Sequence, residues 1–495
     1  MNSEEMYLTL AEAARRLRLP VEQARRVIEE GQVDGAFQRL DDRAWQIPAS
    51  GIKEGLRPHP LSKAWLNWLL EELHRFNETI GGLPRFTLWG SVGFTVGLIG
   101  LIGTLYGFGF FQPKREMSGD FRVAVAAFEV IGDRDDRPVG EELAQGVYLR
   151  MEQAFEELDP RFTIGLWGPD DVEAVRGATR EARAQAAAAL AAEIGADVIV
   201  YGLLDTTQPV WTLTPEFYIS DENLVDAQEI TGQHEIGQSF EATGRGNVAT
   251  RISVSTKLGA RAQLLSLLTV GLSYYAARDY GAAQSVFEQV EREYDWSEMG
   301  GKEVLYLLLG NAAGKNDNLD LAENAYQKAL ADNLDYSRAY AGLGSVYYIR
   351  ALKPADETGN LAEIDIGLIN ESIASYRQAA AAPVRPALSD IETKVHFGLG
   401  QAYLALHLQD ANQSVAPAIQ EFTDVIDDYG DGENPRVREL AAEAHARLGL
   451  IYDLNGNRDA AIDEYEAAVS LLDDVPDRQR LYEDRLRELR NEVPG

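Results

Sequence analysis

The 495-residue chain has no cysteine. That excludes disulfides, thiolate metal centres and a cysteine nucleophile, and it leaves the redox compartment unread. Histidine is nearly as scarce: there are six, scattered without metal-ligand spacing. No GxGxxG, Walker-type loop or HExxH is present. Gly310-Asn311-Ala312-Ala313-Gly314-Lys315 is one residue short of a phosphate loop, lacks the Ser/Thr, and sits inside a helical pattern. Asn316 to Asp320 alternates like a calcium loop but lacks its glycine and distant glutamate, so an inter-helix turn is expected there. No catalytic set, cofactor site or metal site is expected, and an enzyme is not indicated.

Basic residues are also few, 46 Lys/Arg against 79 Asp/Glu. The deficit is uneven. Residues 1–85 hold 12 Lys/Arg and 13 Asp/Glu, so almost all of the net charge of -33 falls on the part beyond residue 111. That part should repel nucleic acid and anionic headgroups, leaving any DNA contact to the N-terminal region.

Charge is missing altogether from residues 86–111, FTLWGSVGFTVGLIGLIGTLYGFGFF. About 20 apolar residues span a hydrocarbon core, and this run exceeds that. Trp89 and Tyr106 lie near its ends, where amphipathic rings favour the interface. One transmembrane helix is expected. Gly90, Gly93, Gly97, Gly100, Thr104 and Gly107 alternate three and four apart, which lines small residues along one face and suits close helix–helix association, as in a homodimer. The flanking Lys/Arg counts are similar on the two sides and do not orient the span.

Before the membrane run, residues 1–57 predict a small winged helix-turn-helix. Thr9 can cap a helix over Leu10 to Arg18, Leu19-Pro20 turns, Val21 to Glu30 forms a second helix ended by Gly31, and Ala36 to Pro48 forms a hairpin. The opening YLTLAEAARRL, Arg25-Arg26, Glu30-Gly31 and Trp45-Gln46-Ile47-Pro48 resemble the excisionase/MerR-like helix-turn-helix family. The resemblance implies that Gln23, Arg25 and Arg26 meet DNA in the major groove and that Arg43 in the wing meets phosphate. Arg18, Glu22 and Asp41-Asp42 depart from the family pattern. Residues 58–85 form a connector whose Leu61, Trp65, Trp68, Leu69 and Leu73 fall on one helical face, fit to lie on a membrane or on the preceding domain.

Residues 118–256 alternate strands and helices. Strands are expected at Phe121 to Phe128, Phe162 to Leu166, Ala196 to Leu204, Trp211 to Ile219 and Glu235 to Ala242. Helices are expected at Gly140 to Leu158, Asp170 to Val175 and Thr179 to Ile194. Arg122-Val123-Ala124-Val125, Gly140-Glu141-Glu142-Leu143 and Glu193-Ile194-Gly195-Ala196-Asp197 resemble the TolB N-terminal-like domain, which implies binding and assembly rather than catalysis.

Residues 260–495 repeat. Gly271, Gly310 and Gly449 are each followed at offsets of 3, 12 and 16 by Tyr274, Ala283 and Phe287, by Ala313, Ala322 and Tyr326, and by Tyr452, Ala461 and Tyr465. Two further units, Gly344/Tyr376 and Gly400/Phe422, carry insertions. The pattern resembles the tetratricopeptide repeat and implies an all-α solenoid of about five units, a capping helix over Arg478 to Glu492, and a groove for a protein or peptide ligand. In layout the chain resembles membrane-integrated regulators of the CadC and ToxR type. That implies a bacterial single-pass protein of the cytoplasmic membrane, with its N-terminus in the cytoplasm and its C-terminal domains on the outer side. A membrane-anchored scaffold whose N-terminal module binds protein is the other reading.

Overall fold

A computed structural model describes residues 116–491, apart from short internal stretches, and three strand segments nearer the N-terminus. The chain divides into two units, Met1–Pro113 and Lys114–Gly495.

In the first unit, β1 (Tyr7–Leu8), β2 (Phe37–Gln38) and β3 (Trp45–Pro48) form an antiparallel sheet in the order β1-β3-β2. Phe37 pairs with Gln46 and Gln38 with Trp45, which is the expected hairpin, and Tyr7 pairs with Pro48 to add a third strand. The two expected helices, the connector and the run 86–111 lie outside the described residues. Among the described residues no helix is long and apolar enough to cross a membrane.

The second unit begins with a mixed sheet. Its strands are β4 (Phe121–Val125), β5 (Glu129–Ile131), β6 (Ile164–Trp167), β7 (Val198–Asp205), β8 (Val210–Ile219), β9 (Gly232–Glu235) and β10 (Phe240–Thr243). The order is β10-β8-β7-β4-β6, with β5 also on β7 and β9 also on β8. β4 runs parallel to β6 and β7, while β8 is antiparallel to β7. Alternation along the strands sends Val123, Val125, Val198 and Val200 to one face, where Leu143, Val147 and Met151 of α1 (Arg137–Leu158) cover them. Ala124, Ile199 and Tyr201 go to the other face, against Ala187, Leu190 and Ile194 of α2 (Arg180–Ile194). Thr179 caps α2 by accepting from the Ala182 N–H, and Gly195 ends it at φ 67°, in the left-handed region that favours glycine.

Two expectations here are corrected. Asp170 to Val175 is a turn and irregular chain, not a helix. Six residues cannot repay helix nucleation, and Asp171 closes a tight turn by exchanging hydrogen bonds with Gly168. The single strand expected over Glu235 to Ala242 is broken into β9 and β10, because Gly237 turns the chain at φ 73°.

A 29-residue helix, α3 (Val248–Ala276), joins sheet to solenoid. It starts inside the stretch assigned from sequence to the α/β domain, packs Val254, Leu258 and Leu265 into the α1-side core, and ends as the first helix of the first repeat. Antiparallel helices follow: α4 (Tyr280–Glu293), α5 (Lys302–Lys315), α6 (Leu319–Asp332), α7 (Ser337–Thr358), α8 (Ile366–Ala381), α9 (Ile391–Gln409), α10 (Ala416–Tyr429), α11 (Arg438–Leu454), α12 (Arg458–Ser470) and the closing α13 (Pro476–Asn491).

The repeat signature has a direct steric meaning. A Cβ placed on Gly271, Gly310, Gly344, Gly400 or Gly449 would fall within 3.0 Å of the ring of Phe287, Tyr326, Tyr376, Phe422 or Tyr465 respectively. In each unit the glycine of the first helix therefore makes room for the aromatic of the second. Tyr326 and Tyr376 also press on a glycine of the next unit, Gly342 and Gly398. Asn316-Asp317-Asn318 is the inter-helix turn expected there: Asn318 caps α6 by accepting from the Leu321 N–H.

Candidate functional site

The first helices α5, α7, α9 and α11 each contribute residues to a common groove, which the second-helix aromatics Tyr326 and Tyr376 also reach. Its cavity is about 380 Å³. Lys394, Phe397 and Gln401 of α9 fall at i, i+3 and i+7; Glu439, Glu443 and Arg447 of α11 fall at i, i+4 and i+8. Asn311 and Lys315 of α5, Val346 and Ile349 of α7, and Arg478 of α13 complete the wall. Val346, Ile349, Phe397 and Leu440 place apolar surface among these polar groups, and Ile349 is 45% exposed. The rim is charged but balanced: Arg478 pairs with Glu439 at 3.1 Å, and Arg447 lies 3.6 Å from Glu443. Such a surface combines apolar area with paired charges, as protein-binding sites do.

The α/β domain closes one end of this groove. The segment between β8 and β9 buries Ala227 and Ile230 fully and brings Glu229 to the groove, 3.6 Å from Nζ of Lys394. The anchor is Arg338 of α7, which is fully buried. Its guanidinium donates to the carbonyls of Glu229 (2.9 Å) and Gln233 (3.2 Å), and lies 2.7 Å from Nε2 of His234. Burial lowers Arg338 to about 10, which still leaves it charged at neutral pH. His234 is held well below its ordinary value by burial and by the neighbouring Arg338. Beside this seam lies a smaller cavity of about 220 Å³, lined by Arg180, His234, Glu303, Tyr336 and Arg338 among others; burial raises Glu303.

Further along, in the α/β domain, Glu216 is fully buried and receives Nε and Nη2 of Arg183 at 2.7 and 2.9 Å. Asp197 receives the Arg122 backbone N–H and guanidinium together. These pairs fasten helix to sheet and strand to strand; neither faces one of the cavities above.

Gln23, Arg25, Arg26 and Arg43, the expected DNA contacts, lie outside the described residues, as do Gly90, Gly93, Gly97, Gly100, Thr104 and Gly107. The groove residues could not be named from sequence, because the repeat spacing does not say which helix faces inward. A cluster of His396, Glu421 and Asp424 between α9 and α10 was also missed. Glu421 and Asp424 follow His396 by 25 and 28 residues, so no linear spacing joins them to it. The available signal was positional: His396 stands four residues before Gly400, and Glu421 one before Phe422.

The tetratricopeptide repeat family model matches residues 304–331 and 442–471. The solenoid is thus built of tetratricopeptide repeats, a protein-interaction architecture. Among solved structures, a thermophilic tetratricopeptide repeat protein of Thermus thermophilus is 18% identical, with 45% of this chain and 98% of that one covered at a TM-score of 0.33. The human IFIT1 dimer with m7Gppp-AAAA is 13% identical over 46% of this chain and 59% of that one, TM-score 0.23. The C-terminal part of a tetratricopeptide repeat-containing protein from Cytophaga hutchinsonii is 18% identical over 48% and 94%, TM-score 0.21. Comparison with curated proteins gives no match.

Proposed function

We propose that this chain is a single-pass membrane protein that captures a segment of a partner protein in the repeat groove and passes that event to an N-terminal DNA-binding module, as a signal-responsive transcriptional regulator. The groove is the observation that carries the reading. It mixes apolar side chains with paired charges, and Glu229 of the chain's own α/β domain reaches it at one end. The uncharged run 86–111 supports the membrane span. The hairpin Phe37–Gln38/Trp45–Pro48 supports the winged module. The glycine face of the span supports a homodimer, which suits helix-turn-helix proteins that bind paired half-sites.

Chromatin immunoprecipitation of the full chain beside Arg25→Ala/Arg26→Ala is the test. Discrete peaks lost in the double variant are expected, and they would also place the N-terminus in the cytoplasm. The near-neutral charge of residues 1–85 favours a second reading, a membrane-anchored scaffold. Absence of peaks with the chain present in the membrane would favour that scaffold, with the groove function intact.

A further inference from the structure

Three side chains away from the groove converge on one point of the fourth repeat. His396 comes from α9; Glu421 and Asp424 lie one turn apart on the same face of α10. Nδ1 of His396 is 2.8 Å from Oε2 of Glu421 and 3.8 Å from Oδ2 of Asp424, and the three ligand atoms all lie within 4.8 Å of one another. A four-coordinate zinc ion with bonds of about 2.0–2.1 Å needs ligand atoms roughly 3.3 Å apart, between those two distances. The remaining oxygen of Asp424, Oδ1, accepts from Nε2 of Gln420 at 2.8 Å, which orients the carboxylate as an outer-shell partner does. All three side chains are between 20 and 34% exposed, so one side of the cluster meets water.

The next repeat provides an internal comparison. His445 stands four residues before Gly449, and Glu464 stands one before Tyr465. Nδ1 of His445 is 2.7 Å from Oε2 of Glu464. This is the His396–Glu421 pair repeated at equivalent positions. Where the fourth repeat has Asp424, however, the fifth has Ala467. A histidine–glutamate pair therefore suffices to pin a first helix to its second, and Asp424 is surplus to that task. One imidazolium can neutralise one carboxylate of the two; a dication answers both. Asp428, which accepts from Oγ1 of Thr393 at 2.8 Å, adds further negative charge near the histidine.

We propose that His396, Glu421 and Asp424 bind a divalent transition-metal ion, zinc foremost, with water completing the coordination. One imidazole and two carboxylates suit such an ion better than magnesium or calcium, which take oxygen ligands alone. The ion would cross-link α9 to α10. This site is independent of the groove and of the regulatory reading.

The test uses the full chain, purified in detergent and stripped with a chelator, then titrated with Co²⁺ and with Zn²⁺ against a chromophoric competitor. The wild-type chain should take up one tightly bound ion, give a tetrahedral Co²⁺ visible spectrum, and melt at a higher temperature with zinc than without. Asp424→Ala, which copies Ala467, should weaken binding by roughly tenfold or more. Asp424→Asn should do the same while keeping side-chain size, and His396→Ala should abolish the spectrum. His445→Ala should leave binding unchanged. Metal-free helicity and melting of each variant separate lost binding from lost fold. The proposal is overturned if Asp424→Asn binds like wild type, if His445→Ala removes the ion, or if wild-type binding equals that of a chain lacking all three side chains.

Discussion

Tyr376 is fully buried between two glycines, Gly344 of its own repeat and Gly398 of the next. A Cβ at position 398 would lie 2.2 Å from its ring, and the Tyr376 hydroxyl, bonded to Ser345 at 2.9 Å, resists moving aside. Gly398→Ala should therefore cost about 1–3 kcal/mol by overpacking, although alanine is the better helix former. Gly146→Ala in α1 is the control. A Cβ there meets nothing within 4 Å, so the substitution should stabilise by roughly 0.5–1 kcal/mol. Denaturant titration of both variants decides this, and equal effects of the two would contradict the steric account. His234 gives a second expectation at this scale. It stacks on Phe217 at 5.0 Å and stays neutral in the fold. The unfolded chain takes up a proton below about 6.5 that the folded chain refuses, so stability should be held above that pH and fall below it. The slope from this one group is about 1.4 kcal/mol per pH unit, and His234→Gln should remove it from a pH series of melting curves.

Elements were legible in proportion to how local their causes are. The glycine-to-aromatic spacing of the solenoid works because each glycine meets an aromatic of its own repeat, so an offset of 16 residues records a contact. Insertions after Gly344 and Gly400 stretched that offset without altering the contact, and the aromatics remained identifiable. Helix α2 announced itself by Thr179 and Gly195, both of which act as caps. The break between β9 and β10 was hidden because apolar alternation continues past Gly237, and only its positive φ ends the strand. The turn over residues 168–171 was hidden because it is closed by the Asp171 carboxylate accepting from the Gly168 N–H, a contact that no periodicity marks. Least legible was everything fixed by packing between distant segments. The inward face of the first helices, the Arg338 anchor and the His396 cluster all join residues at least 25 positions apart, and no periodicity encodes them.

At the scale of the second unit, the α/β domain and the first repeats share one core. A continuous set of buried residues runs from Val123 and Val200 through Leu258 and Leu265 of α3 to Phe287, Leu307 and Tyr326. The later repeats have separate clusters centred on Tyr376, Phe422 and Tyr465. A repeat array normally frays into near-independent units coupled only to neighbours. Here α3 is both a cover for the sheet and the first repeat helix, so sheet and early repeats should open together while late repeats open alone. Leu265 is fully buried at the junction, and Leu265→Ala should cost about 2–5 kcal/mol. Native-state hydrogen exchange read by mass spectrometry can assign that cost. Protection should fall by the same factor in peptides from β7 and from α5, and stay unchanged in α12. If α5 loses protection while β7 keeps it, α3 is a linker rather than a shared strut. The end of the groove where Glu229 meets Lys394 would then be free to move, instead of serving as a fixed wall.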